Sequence, residues 1–356
     1  MTGRTYLRPT GFVDAPFGYD GQVARLAGGL MWFSAVEIVS GDSGRLVPVV
    51  AMPGLLDELG EDARRTWGNL TSARAPLTLG GRVVRLDQPQ VVGILNVTPD
   101  SFSDGGRHEE AAIAAEAGFA MASAGAAIVD VGGESTRPGA KPVWEQDEIK
   151  RVLPVIERLT GSGTAISIDT RKSAVMEAAL GAGAALVNDV SALTFDPLSA
   201  SIVARAGCPV VLMHHQGTPE TMQQAPRYER PVLLEVYDWL EERIAAAVAA
   251  GIDPAKIIVD PGIGFGKNVQ HNLQLLNGLA LLHGLGCPMM LGASRKRMIG
   301  ALSNEAPADE RLAGSLALAL KGAEQGAQLL RVHDVPETVQ ALKVWRGLRD
   351  AALAPS

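Results

Sequence analysis

From Val91 onward, the chain repeats one pattern of hydrophobic and polar positions. A short uninterrupted apolar run ends in a polar cluster, and an Ala- and Leu-rich amphipathic stretch follows it. The apolar runs are residues 91–98, 126–133, 165–170, 185–190, 209–215, 257–262, 288–294 and 328–334. Continuous apolar strands that alternate with helical stretches are typical of a parallel sheet buried on both faces. Eight such units within about 250 residues predict an α/β fold of the closed (β/α)8 type, a TIM barrel. An open doubly wound sheet is the alternative.

Residues 1–90 do not share this rhythm. Residues 31–40 have the composition of a strand, and residues 53–74 predict a helix that ends near Gly68 or Asn69. Residues 77–86 alternate around a Gly-Gly pair, which is typical of a β-hairpin. Because this hairpin directly precedes the first barrel strand, we expect it to close the bottom of the barrel. The predicted domains are an N-terminal α/β extension (1–85), a barrel (86–345) and a C-terminal tail (346–356).

Composition and charge narrow the classes of function. Of the 356 residues, 47% are hydrophobic and 20% are charged, which is typical of a globular protein with a large core. The net charge of −7 argues against nucleic acid as a partner. No apolar run approaches the roughly 18 residues that cross a bilayer, and the N-terminus lacks the apolar region of a secretory signal. The two cysteines, Cys208 and Cys287, form no CxxC motif. We therefore expect a cytoplasmic protein in a reducing compartment, with no membrane partner.

Polar residues follow nearly every predicted strand. They are Asn96, Asp130, Glu134, Asp169, Asn188, Asp189, His214, His215, Asp260, Ser294, Arg295, Lys296, Arg331 and His333. A single Asp or Asn in this position usually caps the next helix. Polar groups at all eight strand ends instead predict a polar basin, because the active sites of such barrels lie at the C-terminal ends of the strands. Since side chains alternate along a strand, Asn188 and Asp189 cannot both point into the barrel.

Three loops at this end have informative compositions. Residues 98–106 are small and polar except for Phe102, which favours a mobile loop that folds over a ligand. Residues 132–140 combine glycines with hydroxyl and guanidinium donors suited to an anion. Residues 260–267 contain three alternating glycines without the spacing of a phosphate-binding P-loop. We interpret this third loop as a glycine-lined floor under a flat ring, with Phe265 as an apolar wall.

Six segments of this chain resemble the dihydropteroate synthase family. They appear in the family's order within roughly residues 88–340, and they are residues 96–106, 132–139, 213–217, 260–262, 294–296 and 331–333. The resemblance implies a transferase of folate biosynthesis. Its substrates would be the small molecules 6-hydroxymethyl-7,8-dihydropterin pyrophosphate and p-aminobenzoate. They would give 7,8-dihydropteroate and pyrophosphate by a dissociative displacement. The long N-terminal extension departs from the short bacterial form of this family.

The resemblance also implies roles for individual residues. The pterin would contact Asp169, Asn188, Met213, Asp260, Phe265 and Lys296. The p-aminobenzoate would contact Phe102, Thr136, Pro138 and Ser294. The diphosphate would contact Asn96, Thr136, Arg137, Arg331 and His333, and the cofactor Mg²⁺ would be held partly by Asn96. The residues expected to be catalytic are Asp100, Lys296, Arg331 and His333, and Asp100 would help to order the first loop. His214 matches no ligand of the family, so we interpret it as a structural residue.

The family further implies a homodimer and a target of sulfonamides. Two alternatives remain at this point. A methyltetrahydrofolate-binding methyltransferase barrel would keep the Asp and Asn residues of the pterin site. It would not need Arg331, His333 or residues 98–106, which are present here. A catalytically silent paralogue would bind pterin without synthesis, although each role named above has a residue in this chain.

Overall fold

The barrel predicted from the repeat is present in the computed structural model, which describes residues 4–41, 43–97, 107–135, 142–218 and 221–353. Its strands are β7 (Gln90–Asn96), β8 (Ile128–Gly132), β9 (Ile166–Asp169), β10 (Leu186–Asp189), β11 (Val210–Met213), β12 (Ile257–Asp260), β13 (Met290–Leu291) and β14 (Leu329–Val332). They form one parallel sheet in the order β12-β11-β10-β9-β8-β7-β14-β13. A bridge between Val259 and Met289 joins the two ends of that order. The sheet is therefore closed, and the open alternative is wrong.

Helices surround the sheet and cover its outer face. They are α3 (Arg107–Ala124), α4 (Glu145–Thr160), α5 (Ser173–Gly181), α6 (Ser199–Ala206), α7 (Val232–Ala249), α8 (Val269–Gly278), α9 (Arg297–Leu302), α10 (Leu312–Glu324) and α11 (Val335–Ala352). Residues 346–352 are thus helical, where a tail was expected. No helix among the described residues is long and apolar enough to cross a membrane.

The alternation of side chains along the strands decides what lies inside the barrel. Near the N-terminal ends, the interior residues are apolar and form a floor that includes Ile128, Leu186, Ile258 and Leu329. A polar residue stands two positions further along each of these strands. It also faces inward, because side chains two residues apart share a face. These polar residues are Asp130, Asn188, Asp260 and Arg331. The same period of two therefore gives the barrel an apolar floor and a polar mouth.

A hairpin before the first barrel strand completes this floor, as predicted. It consists of β5 (Leu77–Leu79) and β6 (Arg82–Val84), joined at Gly80 and Gly81. Both glycines have positive φ, at 55° and 83°, which suits the tight turns of two-residue hairpins. Leu77, Leu79 and Val84 are buried against the interior apolar residues of the barrel strands. The hairpin therefore seals the end of the barrel opposite the polar mouth.

The N-terminal extension forms a small sheet and two helices. The strands are β1 (Thr5–Val13), β2 (Ala24–Arg25), β3 (Trp32–Ser40) and β4 (Ser43–Pro48), and β3 pairs antiparallel with each of the others. The strand expected at residues 31–40 is confirmed as β3. The single helix expected after Pro53 is wrong, because Gly60, at a φ of 88°, separates α1 (Met52–Leu59) from α2 (Glu61–Thr71).

The polar contacts that fasten this extension to the barrel include bonds to two of the outer helices, α7 and α11. The hydroxyl of Tyr6 donates to Asp238 on α7 over 2.8 Å. Arg349 on α11 donates to the backbone carbonyl of Asp14 over 3.0 Å. The extension is therefore packed onto outer helices of the barrel.

Candidate active site

Four strands bring buried polar side chains together at the mouth of the barrel. Asp130 comes from β8, Asp169 from β9, Asn188 from β10 and Asp260 from β12. All four are buried, and Asp130 exposes only 1% of its surface. The strand register places Asn188 beside Asp169 and Met213 beside Asp260. The residues expected to bind a flat polar ring therefore lie on neighbouring strands of one basin.

Arg331 binds two of these carboxylates at once. Its Nε donates to Asp130 Oδ2 and its Nη2 donates to Asp169 Oδ2, each over 2.6 Å. Asn188 Nδ2 donates to the same oxygen of Asp130 over 2.9 Å. The second oxygens of Asp130 and Asp169 are buried and have no hydrogen-bond partner among the described residues. They are therefore acceptors ready for the N–H groups of a bound ligand.

Burial and charge set the ionisation of this basin. Burial raises the pKa of Asp169 to about 7, although the guanidinium of Arg331 acts in the opposite direction. Burial also raises the pKa of Asp260 above its ordinary value. Burial lowers the pKa of Arg331, but the carboxylates of Asp130 and Asp169 outweigh it and hold that pKa above its usual value. Arg331 therefore stays charged in the basin at every pH at which the protein is folded.

The glycine-rich loop after β12 approaches the basin from one side. Asp260 Oδ1 accepts a hydrogen bond from the backbone N–H of Gly262 over 2.7 Å. Lys296 Nζ lies 4.2 Å from the centre of the Phe265 ring, within the range of a cation–π contact. A β-carbon built at Gly264 would lie 3.3 Å from Lys296 Cδ, so a glycine there lets the lysine stem pass closely. The loop thus places the ring of Phe265 against the ammonium group of Lys296 and a backbone N–H against Asp260.

The last two strands bring Ser294 and His333 together. Ser294 Oγ lies 3.1 Å from His333 Nδ1 and accepts from the backbone N–H of His333 over 3.2 Å. Arg295 turns away from this pair and donates its Nε to Asp334 over 3.0 Å. Of the three polar residues after β13, Arg295 therefore has a structural partner, whereas Ser294 and Lys296 border the basin.

Asn96 ends β7 on the other side of the mouth. A β-carbon built at the neighbouring Gly132 would lie 3.8 Å from Asn96 Oδ1 and 3.6 Å from Asp169 Oδ2. Both oxygens therefore lie near one point above Gly132, where Asp169 Oδ2 also accepts from Arg331. The described residues contain no group of three His, Cys, Asp or Glu side chains that would hold a metal by themselves. One amide oxygen beside one carboxylate does suit Mg²⁺, which commonly takes its remaining ligands from substrate phosphates and water.

Five of the expected site residues lie outside the described residues. They are Asp100, Phe102, Thr136, Arg137 and Pro138. Glu134 lies before the second loop and Val143 lies after it. Glu134 Oε1 accepts a hydrogen bond from the backbone N–H of Val143 over 2.9 Å. Glu134 also pairs with Arg171 and Lys172, each over 3.1 Å.

Sequence reasoning assigned no role to Asp130. It noted Asp130 only as one of many polar strand ends, although this residue is the common acceptor for Arg331 and Asn188. The signal was available, because Asp130 stands two residues after the interior Ile128 of β8 and must therefore face into the barrel as well. Asp189 behaves as the alternation rule predicts. It points away from Asn188 and accepts from the backbone N–H groups of Ser191 and Leu193.

Comparison with known proteins places this basin in a family. Residues 92–333 match the family model described as pterin binding enzyme. The chain is 49% identical over 265 residues to the dihydropteroate synthase of Escherichia coli strain K12, which covers 74% of this chain and 93% of that protein.

Two solved structures of Xanthomonas albilineans dihydropteroate synthase are also similar. The complex with 4-aminobenzoic acid has a TM-score of 0.73 and 48% identity, and the match covers 78% of this chain and 99% of that one. The complex with 7,8-dihydropteroate has a TM-score of 0.70 and 46% identity over 77% of this chain and 99% of that one.

Proposed function

This chain belongs to the pterin binding enzyme family, and we infer that it is a dihydropteroate synthase. It joins 6-hydroxymethyl-7,8-dihydropterin pyrophosphate to p-aminobenzoate and releases pyrophosphate, a step of folate biosynthesis. The observation that carries this conclusion is the convergence of Asp169, Asn188, Asp260 and Lys296 in one basin. That basin lies inside the stretch that matches the family, residues 92–333.

We assign recognition of the pterin to the buried carboxylates and the glycine-rich loop. The ring presents N–H donors along one edge, and the unpartnered oxygens of Asp130 and Asp169 are suited to accept from them. Asn188 can both accept and donate, and Lys296 donates to ring nitrogen or oxygen. Met213 and Phe265 supply the apolar surfaces against the faces of the ring. Asp130 thereby joins the residues that the sequence had suggested for this pocket.

The diphosphate is assigned to the side of the basin that holds Asn96, Arg331 and His333. Two of the five N–H groups of Arg331 are used by carboxylates, which leaves others for an anion. Asn96 Oδ1, beside Asp169 Oδ2, would be a ligand of Mg²⁺. When bound, the metal would add positive charge at the leaving group. Thr136 and Arg137 extend this set from the second loop.

The reaction itself needs a good leaving group more than a strong base. The carbon–oxygen bond to the diphosphate breaks, and its electron pair leaves with pyrophosphate. The aryl amine then forms the new carbon–nitrogen bond and afterwards loses a proton to water. Positive charge fixed by Arg331 and His333 favours the departure, since preorganised charge acts where charge develops. Phe102, Thr136, Pro138 and Ser294 would hold the p-aminobenzoate beside the methylene carbon, and Asp100 would help to order the first loop.

Three further features are part of this proposal. The protein acts in the cytoplasm, a location consistent with two buried cysteines that are not joined in a disulfide. It forms a homodimer through outer barrel helices, in keeping with the exposed Val344 and Leu348 one turn apart on α11. Residues 1–85 form an accessory unit, and the catalytic unit is the barrel.

A turnover assay tests the assignment. The purified chain is mixed with dihydropterin pyrophosphate, p-aminobenzoate and Mg²⁺, and the formation of dihydropteroate is followed. The Lys256→Met variant is the matched control, because Lys256 lies at the N-terminal end of β12 and bonds the carbonyl of Gly207 there. Pterin binding without any product would instead identify a silent paralogue. No pterin binding at all would overturn the assignment of the basin.

A further inference from the structure

A lysine that was assigned no role lies completely inside the protein beside the basin. Lys267 exposes 2% of its surface. Its Nζ lies 2.9 Å from the carbonyl oxygen of Gly262, 2.9 Å from that of Phe265 and 2.8 Å from His214 Nδ1. None of these partners is a carboxylate. A buried amine is stable only when its hydrogen bonds are complete, and here three short bonds are joined by a longer contact of 3.4 Å to the carbonyl of His214.

The three bonds hold in either protonation state of the amine. The two carbonyls can only accept, so they take two N–H groups of Lys267. The third bond joins Lys267 Nζ to His214 Nδ1, and either of these two nitrogens can be its donor. Burial lowers the pKa of Lys267 and of His214 well below their ordinary values. The contact therefore persists without depending on which partner carries the proton.

Lys267 sits where two loops of the basin meet. A β-carbon built at Gly262 would lie 1.8 Å from the carbonyl oxygen of His214, so the two backbones approach as closely as only glycine permits. Gly262, Gly264 and Gly266 all have positive φ, which prevents the loop from forming regular backbone hydrogen bonds. Apart from one turn bond, from the N–H of Phe265 to the carbonyl of Gly262 over 3.1 Å, the loop carbonyls named here are bound by side chains. Gln223 donates to Gly264 over 2.6 Å and Tyr228 donates to Gly266 over 2.9 Å.

The two carbonyls that Lys267 binds belong to the residues that shape the pocket wall. The carbonyl of Phe265 fixes the residue whose ring contacts Lys296. Gly262, whose carbonyl is also bound, donates its N–H to Asp260. The buried amine of Lys267 therefore binds the backbone of Phe265 and the backbone of Gly262, which in turn orients Asp260.

We propose that Lys267, with His214 as its hydrogen-bond partner, is a positioning residue for the pterin substrate. It holds the loop of residues 260–267 in the shape that places Phe265 and Asp260 against the ring. The inference rests on the proposed function, because it takes the pterin pocket to be formed by these two residues. It gives His214, which has no place in the basin itself, a role through Lys267.

Substitutions at His214 separate hydrogen bonding from packing. His214→Asn keeps a donor and an acceptor near the position of Nδ1, whereas His214→Leu keeps the volume and removes both. Lys267→Met keeps the stem and removes the donors. The matched control is Lys256→Met, which removes a lysine that also bonds a loop carbonyl, at the opposite end of the barrel.

Two constants are measured in each variant with Mg²⁺. The first is the KM for dihydropterin pyrophosphate, and the second is the KM for p-aminobenzoate at saturating pterin substrate. We expect Lys267→Met and His214→Leu to raise the KM for the pterin substrate about tenfold or more, because each variant loses one or more buried hydrogen bonds. The KM for p-aminobenzoate should stay within about twofold, and His214→Asn should resemble the wild type, because the interaction is kept. A purely structural role would lower thermal stability without this split between the two substrates.

Three results would overturn the inference. The first is a folded Lys267→Met protein with the pterin KM of Lys256→Met. The second is equal impairment in His214→Asn and His214→Leu, which would show that only the imidazole's shape matters. The third is failure of both Lys267→Met and His214→Leu to fold, which would assign the amine to the stability of the barrel. Asp260→Asn distinguishes failure of this inference from failure of the proposed function. If it leaves pterin affinity unchanged, the pocket itself is wrongly placed.

Discussion

Arg331 and Asp130 are 201 residues apart in the chain, yet the guanidinium Nε lies 2.6 Å from the carboxylate Oδ2 across the mouth of the barrel. The other side of the same guanidinium group binds Asp169. The guanidinium group of arginine presents its N–H groups in one rigid plane, whereas the ammonium group of lysine is a compact point charge and could not bind both carboxylates in this way. The basin is therefore assembled around a single cation that binds two buried carboxylates.

Loss of this cation should destabilise the fold as well as the activity. We expect Arg331→Met to lower the free energy of unfolding by about 3–5 kcal/mol, because it leaves buried carboxylates without a partner. Urea denaturation measures the change. Arg205→Met, which removes an exposed pair with Glu177, is the control and should cost less than about 1 kcal/mol. Equal effects of the two substitutions would show that the Arg331 contacts add no stability.

Asp260→Asn should weaken pterin binding while the fold remains intact. The amide would place an NH₂ group where a carboxylate oxygen accepts from a ring N–H, at a cost of about 2–3 kcal/mol, or roughly 30- to 140-fold in affinity. Calorimetry with the pterin substrate and Mg²⁺ measures this directly. Asp169→Asn should also weaken binding, with an added loss of stability because Asp169 is bound to Arg331. An unchanged pterin affinity in both variants would remove the basin from consideration as the pocket.

Asn96→Ala should raise the concentration of Mg²⁺ that activity requires. Asn96 Oδ1 shares one place above Gly132 with a carboxylate oxygen of Asp169, and the alanine variant removes one of these two oxygens. Circular dichroism is expected to match that of the wild type, since the amide is at the end of β7 rather than in the core. Activity is measured across a Mg²⁺ titration. Superimposable curves for the two proteins would exclude Asn96 as a ligand.

A sulfonamide should bind measurably only after the diphosphate site is filled. Residues 98–106 and 135–141 are rich in Ser, Gly and Asp, and they supply most of the expected contacts to p-aminobenzoate. Ordering these loops with pyrophosphate and Mg²⁺ first removes an entropic cost from the second ligand. The expected positive coupling is about 1–3 kcal/mol. Titrations of a sulfonamide with and without pyrophosphate and Mg²⁺ measure it. Equal affinities would mean that the pocket is preformed.

The stability of the protein should fall as the pH decreases below the ordinary pKa of histidine. His283 is fully buried, and this burial lowers its pKa to about 3. The unfolded chain takes up a proton near pH 6.5 that the folded protein does not accept, so protonation favours unfolding between about pH 6.5 and 3. The contribution of His283 between pH 6.5 and 5 is about 2 kcal/mol.

His283→Gln should therefore flatten this dependence, because glutamine does not titrate. The free energy of unfolding in urea is compared at pH 7.5 and pH 5.0 for the wild type and the variant. His271→Gln is the control, since His271 is partly exposed at the start of α8. If His283→Gln and the wild type lose the same stability between the two pH values, another group causes the slope.

Much of the barrel was predictable because its pattern is local. Each strand is a continuous apolar run, and the alternation of side chains then determines which residues face inward. The opposite directions of Asn188 and Asp189 follow from that rule alone. The hairpin at Gly80 and Gly81 was equally clear, since its turn needs residues that accept positive φ.

The contacts between distant strands were not predictable in the same way. The sequence suggests Arg331 as a ligand of the diphosphate, but it does not indicate that the same guanidinium group also pairs with Asp130 and Asp169. Nothing within the last strand indicates which carboxylates it meets, because that depends on closure of the sheet. The same holds for Lys267, whose acceptors are backbone carbonyls that leave no trace in the sequence.

The hairpin that seals the floor also determines when the barrel can be finished. Leu77 and Leu79 leave the ribosome before any barrel strand, whereas Leu329, which packs in the same apolar cluster, belongs to β14 and follows the seven other barrel strands. Contacts this distant in the chain form late. The leucines of the hairpin are therefore only partly buried during synthesis. A nascent chain that stops before β14 exposes an aggregation-prone apolar face. The first residues of the floor are therefore fully covered only after the last barrel strand, β14, has been made.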